Sequence, residues 1–285
     1  MAKDDYVRML ESPELPEFFR ENVLDPSSRE ILLISGVNSS PGSLARLAEE
    51  SRRSGRKYSK IYALGNLFTP RGGFRPNGGE LSRDDLVLRT LNGADAIIIP
   101  GEEELGWEWN FSEASLPLLD GLSSSYSASP TKETRCYFAS PGEGRNSRRT
   151  PTVPLDCIGA RFGDPERMAE GVRYKYVTVE DALEGARKNG LSAIFTGEKW
   201  HSPEFRYAGP RSGESRRVRE ILSEGRVLEL PLNPKTPLFA QIPDLAASGY
   251  LALGSYGVLV DGKNGAERLE IVSFKPHFCL ERSLV

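Results

Sequence analysis

Between residues 30 and 99, short apolar runs alternate with helical stretches, and this pattern constrains the fold more than any other feature of the chain. Glu30 to Ser35 reads as a buried strand. Pro41 to Ser54 reads as a helix, with Ser40 as N-cap, Pro41 at its first position and Gly55 just past its end. Lys60 to Leu64 is a second strand, Ser82 caps a helix running to Asn92, and Ala94 to Ile99 is a third strand. Strands separated by helices of this length predict βαβ units, because parallel neighbours need a crossover long enough to return to the same edge.

The rest of the chain follows other patterns. Arg135 to Ala139, Val172 to Val177, Leu191 to Thr196 and Arg226 to Leu230 read as strands. Thr178 caps a helix with Asp181 at its third position, ending at Gly190. Glu214 to Ser223 reads as another helix. The tail, YLALGSYGVLVDGKNGAERLEIVSF, alternates and turns at DGKNG, which predicts an antiparallel hairpin. Parallel units first and antiparallel strands last predict a two-layer or sandwich α/β domain over residues 29–285. Residues 1–28 read as an N-terminal helical arm interrupted by Pro13 and Pro16.

Composition excludes several classes. The 285 residues include 27 % charged and 38 % hydrophobic ones with a net charge of −3, so no whole-chain attraction to nucleic acid or anionic lipid is implied. No apolar run approaches the roughly 20 residues of a membrane helix, and MAKDDYVRML lacks the apolar core of a secretion signal. These features predict a cytoplasmic protein with no membrane partner. Cys136, Cys157 and Cys279 are scattered and read as small buried hydrophobes. The excess of Arg over Lys and a single glutamine, Gln241, fit a thermophile. Only His201 and His277 supply imidazole, so a mechanism needing several histidines is excluded by inventory.

In an open α/β sheet, ligands bind outside the carboxyl ends of the strands. The residues expected there are Gly36-Val37-Asn38, Gly65-Asn66, Gly101-Glu102-Glu103-Glu104, Ser140-Pro141-Gly142 and Gly197-Glu198-Lys199-Trp200-His201. The succession ILLISGVN, KIYALGN, ADAIIIPGEEE, CYFASPGEG, IFTGEKWHSPEF, LGSYGVLV resembles the calcineurin-like metallophosphoesterases from about Glu30 to Phe274. Their motifs are DxH, GD, GNH[DE], a lone His before a proline, and GHxH, followed by a closing GS-Y strand. The resemblance implies a metallophosphoesterase-like four-layer α/β/β/α sandwich with mixed sheets.

It also implies where a pair of metal ions would be held, and there the match fails. The family's first aspartate falls on Gly36, its paired histidine on Asn38 and the bridging aspartate on Asn66. The asparagine, catalytic histidine and acidic partner of GNH[DE] fall on Glu102, Glu103 and Glu104. The lone histidine falls on Ser140. The first histidine of GHxH falls on Glu198, and the second on Trp200, or on His201 with one insertion. A neutral amide at Asn66 does not offset the repulsion between two dications, and Gly36 offers no ligand.

The expectation is therefore a degenerate member, without cofactor or catalytic residues, acting as a binding or scaffold subunit for a protein partner. Family precedents for such a role are the small subunits of eukaryotic replicative polymerases and a retromer subunit. Two alternatives stay open. One is an atypical phosphoesterase holding Mg²⁺ or Mn²⁺ through oxygen ligands at Glu102–Glu104. The other is a nucleic-acid or ribonucleoprotein component contacting phosphates through Arg145, Arg148 and Arg149. The second basic cluster, Arg211, Arg216, Arg217 and Arg219, is interspersed with acids and reads as a solvated face. His201, beside Trp200, reads as packed. Trp107 and Trp109 read either as core filling or as an aromatic contact patch.

Overall fold

A computed structural model describes residues 13–68, 82–99, 127–128, 134–139, 152–154, 176–197, 205–208, 227–246, 254–262 and 265–274. Four helices are described: α1 (Leu15–Val23), α2 (Pro41–Ser54), α3 (Arg83–Gly93) and α4 (Val179–Lys188). The strands of the first half are β1 (Glu30–Ile34), β2 (Lys60–Leu64), β3 (Ile97–Ile99), β4 (Ser127–Ala128), β5 (Cys136–Ala139) and β6 (Thr152–Pro154). Those of the second are β7 (Tyr176–Thr178), β8 (Ala193–Gly197), β9 (Phe205–Tyr207), β10 (Leu228–Pro231), β11 (Leu238–Ile242), β12 (Ser255–Gly262) and β13 (Gly265–Ser273).

The fold is mixed α/β with two mixed sheets. One has the order β10-β13-β12-β1-β2-β3, the other β4-β5-β8-β11-β9, and β6 pairs with β7. In the first sheet β1, β2 and β3 run parallel, while β12 lies antiparallel against β1. The C-terminal hairpin therefore completes the sheet that the N-terminal βαβ units begin. In the second sheet β5, β8 and β11 are parallel, with β4 and β9 antiparallel at its edges.

Alternation along β1 explains why its sequence is apolar from Ile31 to Ile34. Leu32 and Ile34 join Phe19 and Val23 of α1, Leu44 and Leu47 of α2, and Val87 and Leu91 of α3 in one cluster. Ile31 and Leu33 point the other way, with Tyr62 and Leu64, into a second cluster shared with Phe138, Phe195, Leu238 and Ala240 of the other sheet. A third cluster packs Tyr137, Ile194 and Phe239 against Val179, Ala182 and Ala186 of α4. Strands covered on both faces lose the polar–apolar alternation of half-exposed ones.

The helix ends follow local chemistry. Ser82 and Asp85 form a reciprocal capping box on α3, and the Thr178 hydroxyl accepts from the Asp181 amide at the start of α4. Ser40 stands at the N-cap of α2 but makes no side-chain cap bond; Pro41 follows it, and Gly55 ends the helix at φ +70°. The third strand is shorter than expected because Asp95 turns left-handed (φ 49°), and Ala94, Asp95 and Ala96 all donate back to the end of α3. Cys136 is buried and free, with its thiol pushed far up by burial.

An ion network ties α2 to the first sheet. Arg56, just past α2, bonds Glu30 (Nε–Oε2, 2.5 Å) and Glu270 of β13 (Nη2–Oε2, 2.6 Å), and Arg268 reaches the other oxygen of Glu270 (2.8 Å). Burial raises the Glu270 carboxyl, but the two arginines outweigh it and hold it below its ordinary value of 4.5. A carboxyl lowered in the folded state contributes stability above its ordinary value and loses it as pH falls through the lowered one. Arg56→Gln is expected to cost about 2 kcal/mol at pH 7, because it leaves Glu30 without its arginine and Glu270 with Arg268 alone. In urea melts at a series of pH values, the gap to wild type should narrow as pH drops below 4.5.

Candidate functional site at the carboxyl edge

The ends of β1, β2, β3, β8 and β11 meet at one edge of the two sheets. The Gly36 amide donates to the Gly65 carbonyl (3.3 Å), Asn38 to Asn66 (3.1 Å), Ser39 to Leu67 (2.9 Å), and Gly65 to Ile99 at the end of β3 (2.8 Å). The Ser35 hydroxyl donates to the Leu64 carbonyl (2.9 Å). Gly197, the last residue of β8, lies so close that a Cβ there would sit 1.9 Å from the Leu64 carbonyl oxygen. Ala139, ending β5, is in register with Thr196.

The backbone at this edge is unusual. Gly36, Asn38, Ser39, Gly65 and Asn66 all have positive φ, between 52° and 65°. Asn tolerates this region better than most L-residues because its short side chain bonds locally. At Asn38 it does so, with Nδ2 donating to the Gly36 carbonyl (3.1 Å).

Two carboxylates that the sequence did not single out complete the edge. Asp244 follows β11 and is buried. The neighbouring Leu245 amide donates to the Ser35 carbonyl (2.7 Å), Ala246 to Gly36 (3.0 Å), and the Ser255 amide to the Asp244 carbonyl (2.9 Å). The Asp244 side chain lies against the bare α-carbon of Gly36, where an added Cβ would stand 1.8 Å from Oδ1 and 2.2 Å from Cγ. Asp84, in the first turn of α3, is buried and accepts a hydrogen bond from the Ser39 side chain, while its Oδ1 has no partner.

Burial raises the Asp84 carboxyl, with neighbouring Asp85 adding to the effect and Ser39 opposing it. A carboxyl raised in the folded state favours folding only while protonated, so Asp84 costs stability as pH climbs above its ordinary 3.8. Asp84→Asn keeps an acceptor for Ser39 and removes the charge. It should raise the Tm at pH 7, and the gain should vanish below pH 3.8; calorimetry across that range checks it.

Of the residues expected at this edge, Asn38 and Asn66 lie there, partly exposed, with Asn38 turned back on its own loop. Glu102, Glu103, Glu104, Ser140, Glu198 and His201 lie outside the described residues, as do Arg145, Arg148, Arg149, Trp107, Trp109, Cys157, Cys279, His277 and the expected helix Glu214–Ser223. Among the described residues no three His, Cys, Asp or Glu side chains are grouped as a metal would need. The first and second loops do not fit a two-metal ligand set, since Gly36 has no side chain and is covered by Asp244, and Asn66 is neutral. No described helix is long and apolar enough to cross a membrane.

Asp244 was hidden because its strand was. PLFAQIPDL carries prolines at 237 and 243 and no strand was expected there, yet Leu238–Ile242 is fully buried between β8 and β9. The available signal was an apolar run of strand length with both prolines just outside the ladder, where they remove no bond from it. Comparison with protein-family models gave no match, and comparison with curated proteins gave none.

Proposed function

We propose that this chain is a metallophosphoesterase-like protein without a catalytic metal centre, and that it works as a binding or scaffold subunit. Architecture supports the family reading. Two mixed sheets share an apolar cluster, with α1, α2 and α3 packed on one sheet and α4 on the other, which is in line with the α/β/β/α sandwich that the resemblance implies. A fold alone does not assign an activity, so the site has to decide. The observation that carries the non-catalytic reading is the occlusion of Gly36 by the Asp244 side chain. It leaves position 36 without the carboxylate that the resemblance calls for and without room to add one, the nearest carboxylate there being that of Asp244 itself. Asn66 lacks the negative charge needed to bridge two dications.

The test is hydrolysis of bis(p-nitrophenyl) phosphate by the purified chain in Mn²⁺ and in Mg²⁺. The expected rate equals that of the metal solution alone. Metal-dependent turnover that disappears in Glu103→Gln would overturn the proposal in favour of an oxygen-ligated enzyme.

A further inference from the structure

Glycine at the end of a strand commonly marks a place where something approaches the backbone closely. At Gly36 that approaching group belongs to the chain itself. We propose that Asp244 is a built-in occupant of the carboxyl edge, a clasp that fills the space beside the Gly36 α-carbon and fastens the segment after β11 to the loop after β1. The inference rests on the non-catalytic reading, because a clasp in this position takes space that a ligand-bearing residue 36 would need.

Three observations converge on it. Oδ1, Cγ and Cβ of Asp244 would lie 1.8, 2.2 and 2.6 Å from a Cβ on residue 36. The Asp244 side chain is buried rather than swung into solvent. Immediately after this contact the two segments are joined by the Leu245-to-Ser35 and Ala246-to-Gly36 hydrogen bonds. Gly36 thus answers two separate demands, a left-handed backbone and an unobstructed α-carbon. An Asn side chain meets the first demand elsewhere in this loop; only glycine meets the second.

A double-mutant cycle tests the clasp, using Gly36→Ala, Asp244→Gly and the pair together, with urea unfolding as the readout. Left-handed strain is common to both backgrounds, but the collision exists only with Asp244 present. Gly36→Ala should therefore shift the unfolding equilibrium at least about tenfold more in wild type than in Asp244→Gly. Recovery of soluble Gly36→Ala only in combination with Asp244→Gly is the same result in its strongest form. Additive effects would overturn the clasp.

Amide exchange of Asp244→Ala provides a measurement independent of Gly36 variants. The Leu245 and Ala246 amides should exchange about tenfold faster than in wild type, with Ile61 in β2 unchanged; unchanged protection at 245 and 246 would overturn it. Thermal melts with MnCl₂ separate this inference from the functional one. A manganese stabilisation of wild type that is lost in Asp244→Ala would make Asp244 a cation ligand and sink the clasp. A stabilisation that survives in Asp244→Ala, with the coupling intact, would support the clasp and contradict the non-catalytic reading.

Discussion

Gly197→Ala is expected to destabilise the protein by about 3 kcal/mol, near the upper end of overpacking costs. An added methyl would stand 1.9 Å from the Leu64 carbonyl oxygen and 2.4 Å from the Ser35 hydroxyl. Neither neighbour can step aside cheaply. The carbonyl is part of the β2 backbone, and the Ser35 hydroxyl is already committed to that carbonyl at 2.9 Å. Relief would require the two sheets to part at the edge where their strand ends meet. Gly190 supplies the control. It has φ +67°, but nothing lies within 4 Å of its added Cβ. Gly190→Ala should therefore cost only backbone strain, about 1 kcal/mol. Urea unfolding of the two variants measures the contrast, and equal losses would contradict the close sheet-to-sheet approach at Gly197.

Phe138→Ala is expected to cost about 4 kcal/mol, the typical loss for a fully buried phenylalanine whose surroundings collapse only partly. Phe138 lies between the sheets, stacked on Tyr62 with ring centroids 3.9 Å apart and planes 10° apart, and tilted against Phe195 at 5.6 Å. Tyr62 belongs to the first sheet and Phe195 to the second, so the ring joins both layers. Truncation removes transfer free energy and leaves a void whose walls are held by two hydrogen-bonded ladders. Phe138→Leu keeps most of the volume and forfeits mainly the ring stacking, worth about 1 kcal/mol. Calorimetry should rank wild type, leucine and alanine in that order. A small loss for alanine would mean that the sheets do not pack through this ring.

Much of the first half was legible because its signals are local. The range Pro41–Ser54 follows from a proline at N1, a helical periodicity and a left-handed glycine stop, and the α2 bounds agree with it. Lys60–Leu64 carries an unbroken buried run from Ile61 to Leu64, and DGKNG joins two alternating strands that pair as a hairpin. Pairings between distant segments were not legible. Nothing in EILLIS says that its other neighbour is β12, which brings residues 30 and 260 into register. β11 was missed because its prolines, read locally, mark the ends of a loop, and only the finished sheet reveals them as flanks of a buried strand. The candidate site divides along the same line. Gly36, Asn38, Gly65 and Asn66 sit at strand ends that local pattern locates. Asp244 and Asp84 reach the edge from β11 and α3, through contacts that no spacing rule encodes.

The proposed non-catalytic role requires that this edge does not assemble a pair of metal ions. Its most direct test is the metal content of the purified chain after dialysis against Mn²⁺ and gel filtration, read by mass spectrometry. The account predicts that manganese elutes with the buffer and not with the protein. A pair of manganese ions retained per chain would contradict it.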